Sequence, residues 1–544
     1  MYTSITARKP TPIALPAASP VTVAVGMAAF ALVVRLLLLP GFGGTDDVIY
    51  ALRGTEIAQG IWRPGAHIGE LRYGINLPIA LFAALFGTST LSLTGWSLLS
   101  SVAEVGLVAW FAARLWGSRA GLAAGFVLAV TPLHIELGGR TLADAPLAMF
   151  TTLAFIAFAI AERNRSKLGY LVSGLACGAC WWIKPTVAVP LYLAMALYVA
   201  VVRRLDVRWL YTVLGCAVMI AAELVFLSAI SNNPFSTLKA LLPFVGDHRQ
   251  YRGDPMWGSN SPWFYFRRMF VDGRDMWLVP FVAAGGAAVL ARGLATSQRP
   301  YGVAANDRFV LFWITTLLGV FSFFVFSINP VRFIPKQENY ASIFLAPLAL
   351  LAAAALVRLP KPARLLLIVV LAAGGFTLAG LVQQTHRYKY SRMTQALEFA
   401  YAYPDATVLM SAQTVVLGQL RQLTGQARTR NFEPWSAIDD FVNTSITEKS
   451  KPLFGVLEPS SPEQSNNILW NKISHLAECA QPFRELNANP SGAGIAAVQL
   501  VARLLPELPS AVSQQLSFAK PIINPPVARV LMVPAACRMP AEPK

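Results

Sequence analysis

Asp46 and Asp47 stand side by side in "GFGGTDDVIYALRGTEIAQG" (residues 41–60), directly after an apolar run that ends "ALVVRLLLLP". Tyr50 and Glu56 follow within the same stretch. A carboxyl held at a half-dry site can take a raised pKa and serve as a general base, so an acidic pair at the mouth of an apolar segment suits proton removal. The plainer reading is a pair of solvated loop acids, but the helical spacing of "VIYALRGTEIAQG" would hold both at a membrane surface. A second group lies in "TPLHIELGGRTLADAPLAMF" (131–150), where Glu136, Arg140 and Asp144 are spaced four apart. Asp144 opens an apolar run, where it can cap a helix with Pro146 tolerated in the first turn. An ionisable group at the edge of a span is also a functional candidate. His134 and Glu136 could add metal ligands, which leaves a divalent cation open, although His-x-Glu alone specifies none. A third group is basic: Lys184 in "WWIKPT", and Arg332 and Lys336 in "NPVRFIPKQENY". Such residues either snorkel at an interface or neutralise a phosphate leaving group.

Composition decides what kind of elements must hold these residues. Of 544 residues, 55% are hydrophobic and 13% charged, about half the charged share of ~25% in soluble domains. Lipid is the main solvent for such a chain. The net charge is +17. Most basic residues lie between apolar runs, so they read as topology determinants and phosphate contacts rather than as a nucleic-acid surface.

Eleven apolar runs fall near 21–40, 91–113, 120–133, 143–161, 168–183, 185–202, 208–230, 276–291, 309–328, 340–357 and 363–382. With a cytoplasmic N-terminus, each of the five inner connections is basic, as the positive-inside rule requires, and the C-terminus lies outside. The outer loops are then chiefly 41–90 and 231–275. Within the first, "NLPIALFAALFG" is short enough for an interfacial or re-entrant helix. The second carries Lys239, Arg249, Arg252, Arg267, Arg268 and Arg274 among aromatic residues. It reads either as a headgroup anchor or as a surface for an anionic or lipid-linked substrate.

Residues 1–384 form the membrane part. From 385 the short strands "DATVLMS", "KPLFGVLEP" and "VARVLMVP" and the helix "AQTVVLGQLRQLTG" predict a small extracytoplasmic α/β domain over 385–544. Cys177, Cys180 and Cys216 lie in apolar runs and read as small core residues. Cys479 and Cys537, in the tail, are expected to pair in an oxidising compartment.

In order along the chain, these stretches resemble the GT-C class of membrane glycosyltransferases. The branch is that of the protein O-mannosyltransferases and the aminoarabinose and galacturonic acid transferases of lipid A. "DDVIY" resembles the Asp-Glu-x-x-Tyr pattern that begins their first external loop. "WGSRAGLAAGFVLAVTP" is similar to their Gly-Arg-x-Ala connection and third helix, and "RTLADAPLAMF" to their Arg-x-x-x-Asp-x-Pro-Leu entry to the next span. "WWIKP" falls where they carry Thr-Lys-Gly, and "KQENYASIFLAPLALLAA" resembles their Lys-x-x-x-Tyr followed by Pro-Leu-Ala. The likeness covers roughly 20–200 and 325–355. It departs at Asp47, where the pattern has Glu, and at "LRYGINLP", which replaces a Lys-Pro-Pro-Leu stretch and leaves Arg72 as the substitute base. The C-terminal module has no likeness to the family.

The expected fold is an all-α polytopic membrane protein, GT-C-like with about 11 transmembrane helices, carrying a small C-terminal soluble α/β domain. The resemblance implies a polyprenyl-phosphate-linked sugar donor and an inverting transfer, of a hexose or a pentose. The acceptor would be a hydroxyl of a glycan, lipid or protein at the outer face of a bacterial inner membrane. Asp46 would take the acceptor proton with Asp47 beside it. Asp144, Arg140, Glu136 and His134 would orient the acceptor or a cation. Lys336, Arg332, Lys184, Arg72 and Tyr340 would hold the departing lipid phosphate. Two other classes stay open. A transporter or flippase of a lipid-linked sugar would need a polar path through the spans, for which Glu104 and Glu223 are candidates. A non-catalytic membrane assembly protein would make Asp46 and Asp144 dispensable.

Overall fold

The structure, a computed structural model, describes residues 18–63, 65, 68–198, 206–231, 233–246, 261–296, 301–328, 331–334, 336–427, 431–437, 452–457, 473–474, 476–486, 495–504 and 527–534. Of residues 242–246, 301–303, 326–328, 331, 332, 496 and 497 it describes the backbone alone. The basic and aromatic residues expected to matter between 247 and 260, and Cys537, lie outside the described residues.

Every one of the eleven apolar runs is helical over most of its length. The first half comprises α1 (Pro20–Leu37), α2 (Asp46–Ala58), α3 (Tyr73–Phe86), α4 (Thr90–Trp116), α5 (Ser118–Val130), α6 (Pro132–Gly138), α7 (Asp144–Asn164), α8 (Lys167–Ile183) and α9 (Pro185–Ala196). There follow α10 (Leu210–Ser231), α11 (Ser236–Gly246), the single turn α12 (Phe264–Arg267), α13 (Val279–Ala295), α14 (Tyr301–Phe323), α15 (Leu345–Leu356) and α16 (Lys361–Ala402). Among the described residues seven helices are long and apolar enough to cross a membrane, or eight if the bent pair α5–α6 is one span. Shorter apolar helices are α9, α13 and, outside the eleven runs, α3, with Pro78 inside it.

Local chemistry explains the boundaries that matter for the site. Ser19, Ser89 and Ser166 cap α1, α4 and α8 by accepting the N–H groups of Thr22, Ser92 and Gly169. The α5–α6 pair bends by 68° at Thr131–Pro132, because proline supplies no N–H to continue the ladder. The Leu133 N–H turns away to the Asp275 carbonyl at 2.8 Å. The Ala129 carbonyl is taken instead by the Arg35 guanidinium at 3.2 Å. Membrane helices approach closely where small residues face each other. A Cβ on Gly174 of α8 would stand 2.1 Å from the Thr212 carbonyl oxygen of α10, and one on Gly215 would stand 2.5 Å from Leu171 O.

An antiparallel ribbon of β1 (Val325–Ile328) and β2 (Val331–Phe333) follows α14 and leads to a 3-10 turn, Glu338–Phe344, ahead of α15. The composition changes near 385, but the helix does not: α16 runs unbroken for 42 residues. At 1.5 Å per residue it is about 63 Å long, about twice the ~30 Å of a hydrocarbon core. Its distal end packs on a five-stranded sheet of order β4-β3-β5-β7-β6. The strands are β3 (Thr407–Met410), β4 (Phe432–Pro434), β5 (Leu453–Leu457), β6 (Gln481–Leu486) and β7 (Ala528–Val533). β3 is parallel to β4 and β5, while β7 is antiparallel to β5 and β6. Phe399 of α16 packs edge-on against Phe454 of β5, with ring centres 5.2 Å apart. Helix α17 (Ala412–Leu423) lies on this module and also packs on α2, where Gln59 donates to the Leu423 carbonyl at 2.9 Å. Cys479 is disulfide-bonded, whereas Cys177, Cys180 and Cys216 are free.

Candidate active site

Asp46 and Asp47 form the first turn of α2, and successive helical residues point about 100° apart. The two carboxylates therefore meet different surroundings. Asp47 is fully buried. Its Oδ1 accepts the N–H groups of Thr45 (2.8 Å) and Val48 (3.1 Å), and its Oδ2 accepts Gly43 N–H and Arg140 Nη2 (3.2 Å). Burial by itself would raise this carboxyl. The Arg140 guanidinium and the N–H groups of Gly43 and Thr45 outweigh it and hold Asp47 below the ordinary carboxylate range. Asp47 is thus a permanently ionised fastening and a poor proton acceptor.

Asp46 keeps 50% of its side chain exposed. Its Oδ2 lies 3.4 Å from Arg72 Nη1 and accepts the Tyr50 hydroxyl at 3.4 Å. Arg72 also donates to the Tyr50 oxygen. Burial pushes the Tyr50 phenol well above its ordinary value, so it stays protonated and acts as a donor. Of the two acids, only Asp46 has a face open to a substrate.

Asp144 takes the first helical position of α7 and makes no cap hydrogen bond; the cap position is Ala143. Its oxygens are engaged elsewhere, with Lys184 Nζ at 2.7 Å and Asn339 Nδ2 at 3.0 Å. This buried pair joins α7, the α8–α9 break and the turn before α15. The Lys184 ammonium sits 4.3 Å from the centre of the Tyr340 ring. Tyr340 lies within electrostatic reach of Arg72, and Asp144 within that of Tyr50, so this group adjoins Asp46. Tyr265 of α12, fully buried, reaches the same place and feels both Tyr340 and Asp144.

Lys336 differs from the other cations. It is buried, donates to the Ile334 carbonyl at 3.2 Å and lies 5.2 Å from the centre of the Phe333 ring. No carboxylate forms an ion pair with it among the described residues, and burial pushes its pKa down to about 8. Lys184 is already neutralised by Asp144, and Arg140 by Asp47 and Glu136. Of the cations expected from the sequence to hold phosphate, Lys336 and the half-satisfied Arg72 are the ones left to meet an anion among the described residues. Arg332 stands on β2, and its side chain lies outside the described residues.

His134 and Glu136 do not combine as expected. Two residues apart on a helix, they point about 200° apart. His134 turns into the membrane part, with Nε2 3.1 Å from Glu104 Oε2 and Nδ1 against the Arg35 guanidinium. Thr152 donates to the other Glu104 oxygen at 2.8 Å, and Arg35 Nε to Ser101 at 2.7 Å. Glu136 turns outward, accepting Arg140 Nη1 at 3.2 Å and His386 Nε2 at 2.8 Å. No group of three or more His, Cys, Asp or Glu side chains suited to a metal forms among the described residues. Glu223 accepts the Trp181 indole N–H and, at 3.1 Å, the Thr237 hydroxyl. Three of the basic residues of loop 231–275 are engaged too: Arg267 with Asp272 at 3.3 Å, Arg274 with Asp275 at 2.8 Å, and Arg268 with Glu338. Thr45, Asn339 and His386 were not singled out by the sequence, and Tyr265 stood out only as one of the aromatic residues of loop 231–275.

The model of the dolichyl-phosphate-mannose-protein mannosyltransferase family matches residues 74–226. Among solved structures the chain is similar to ArnT from Cupriavidus metallidurans in the apo state, at 17% identity and a TM-score of 0.59, covering 95% of this chain and 98% of that one. It is likewise similar to the same protein bound to undecaprenyl phosphate, at 16% identity and a TM-score of 0.58, covering 95% and 99%. No curated protein sequence matches. The fold is ArnT-like, in line with the GT-C-like fold that the sequence led one to expect.

The two acids predict different stabilities on truncation. Asp47→Ala leaves Arg140 buried without its main partner and should destabilise the protein by about 3–5 kcal/mol. Asp46→Ala removes only a half-exposed carboxylate 3.4 Å from Arg72 and should cost about 1 kcal/mol or less. Thermal unfolding in detergent measures both, and equal losses would contradict the assignment of Asp47 as the fastening.

Proposed function

We propose that the chain transfers a sugar from a polyprenyl-phosphate-linked donor to an acceptor hydroxyl, with inversion, at the outer face of a bacterial inner membrane. The observation that carries this reading is the division of labour in the acidic pair, with Asp47 locked and Asp46 open beside Arg72 and Tyr50. The family-model match and the fold shared with an undecaprenyl-phosphate-bound protein agree with it.

In this mechanism an Asp46 oxygen takes the proton of the acceptor hydroxyl. The freed electron pair forms the new bond at the anomeric carbon from the face opposite the phosphate. The bond from that carbon to the phosphate oxygen breaks, and its electrons leave with the lipid phosphate. Lys336 and Arg72 meet the charge that develops there, at a site where water is sparse and each preorganised charge counts for more. The neutral Asp144–Lys184 pair fixes the Tyr340 turn rather than holding phosphate itself. Such a reaction belongs at the interface because the leaving group stays anchored in the membrane.

Mass spectrometry of surface glycans and lipids from cells with and without the protein identifies the transferred sugar and supplies the assay. Asp46→Asn keeps the shape and hydrogen bonding of the side chain but accepts no proton. It should lower transfer by about a hundredfold to ten-thousandfold while undecaprenyl phosphate still binds. Wild-type transfer by this variant would remove Asp46 as the base. Lys336 gives a second test through pH. Its charge is present below about pH 8 and lost above, whereas a phosphate monoester, with a second pKa of about 6, is fully ionised there. Undecaprenyl phosphate should therefore bind the purified chain more weakly as pH rises from about 7.5 to about 9.5. Lys336→Met should bind it weakly throughout, with a flat profile. A flat profile in the wild-type protein would reduce Lys336 to an interfacial anchor.

A further inference from the structure

The buried fastening of Asp47 does not end at Arg140. Glu136 Oε1 accepts Arg140 Nη1 at 3.2 Å and, on the same oxygen, His386 Nε2 at 2.8 Å. A carboxylate only accepts, so Nε2 carries the ring proton. Arg140 Nη1 stands 3.4 Å from that nitrogen, donor facing donor, and the Glu136 oxygen between them holds both in place. Arg140 passes the constraint on through Nη2, to Thr45 Oγ1 at 2.6 Å and Asp47 Oδ2 at 3.2 Å. The next residue of α16, Arg387, donates to the Leu39 carbonyl at 2.8 Å, at the entry to the loop that carries Asp46.

Packing around this chain leaves no slack. A Cβ on Gly43 would sit 2.6 Å from Arg140 Nη2 and 2.8 Å from His386 Nδ1, so only glycine lets the loop lie against both side chains. His386 is itself buried. It lies on the helix whose distal end, through Phe399, forms part of the core of the C-terminal sheet. A second contact, Gln59 with Leu423, holds the far end of α2 to the same module. Both ends of the helix that presents Asp46 are thus gripped by the part of the chain that follows the last apolar run.

We propose that His386 is a positioning residue for the transfer. Through Glu136 and Arg140 it fixes the Asp47 turn and thereby the direction in which Asp46 reaches, so the stem of the C-terminal domain is part of the active-site frame. The proposal rests on the reading of Asp46 as the base, and its test separates the two. The variants are His386→Leu, which fills the space without the hydrogen bond, and His386→Gln, whose amide nitrogen replaces Nε2. Transfer is measured in cells by the sugar modification, and binding on the purified full chain with undecaprenyl phosphate as probe.

A misplaced base costs rate rather than donor affinity. His386→Leu should lower transfer by about ten- to a hundredfold with undecaprenyl phosphate binding unchanged, and His386→Gln should recover most of the rate. Wild-type transfer by His386→Leu in a protein that Asp46→Asn silences would overturn the proposal and leave the functional reading standing. Wild-type transfer by both variants would overturn that reading, and the proposal with it. Should His386→Leu fail to accumulate in the membrane, His386→Gln and His386→Asn decide the matter. The Asn amide falls one methylene short of Glu136, so equal transfer by these two would overturn the proposal.

Discussion

A carboxylate with no access to water must be given a full set of partners, since removing an ion from water costs several kcal/mol even after the protein relaxes. Asp47 meets that demand with the N–H groups of Gly43, Thr45 and Val48 and the guanidinium of Arg140. Much of the site follows from it. The loop before α2 must wrap around the carboxylate, which requires Gly43 at the closest approach. Arg140 must come within reach, which fixes the end of α6. With Asp47 turned inward, Asp46 is carried about a quarter turn round the helix toward Arg72 and Tyr50. Two acids adjacent in sequence thus acquire opposite properties, one ionised and immobile, the other half-exposed and available.

Helix α6 is the second constraint. It is seven residues long, set off from α5 by a proline break, and held from both sides. On one side His134 joins Glu104 and Arg35; on the other Glu136 joins Arg140 and His386. The loop bearing Tyr265 is attached through the Leu133–Asp275 backbone hydrogen bond. A buried polar network among the apolar helices and the acidic site therefore share one short rigid element. Mid-span ionisable residues usually mark transport paths, yet Glu104 and Glu223 are engaged in holding helices together.

Much of the site is legible in the sequence because ionisable residues are conspicuous at the ends of apolar runs. Asp46, Arg140, Asp144, Lys184 and Lys336 all stand out for that reason. Their pairings are less legible. Lys184 looks like a phosphate ligand until Asp144 is found 2.7 Å away. The failure of His134 and Glu136 to share a face could have been read from the helical period, which sets residues i and i+2 nearly opposite. His386 gives no such signal, lying in "VQQTHRYKY" without spacing to any other ionisable cluster. The domain boundary at 384/385 followed composition, although no proline interrupts the chain from Pro362 to Pro404 and α16 spans that interval. β6 was missed because its residues are exposed on both faces and show no alternation.

The central claim is that the lipid phosphate is received by Lys336 and Arg72, with Asp46 reaching in from a different direction. Cryo-electron microscopy of the full chain with undecaprenyl phosphate measures this directly. The phosphate should appear within hydrogen-bond distance of Lys336 Nζ and Arg72, beside Tyr340, while Asp47 stays locked on Arg140. A phosphate bound elsewhere, with Asp46 remote from it, would contradict the claim.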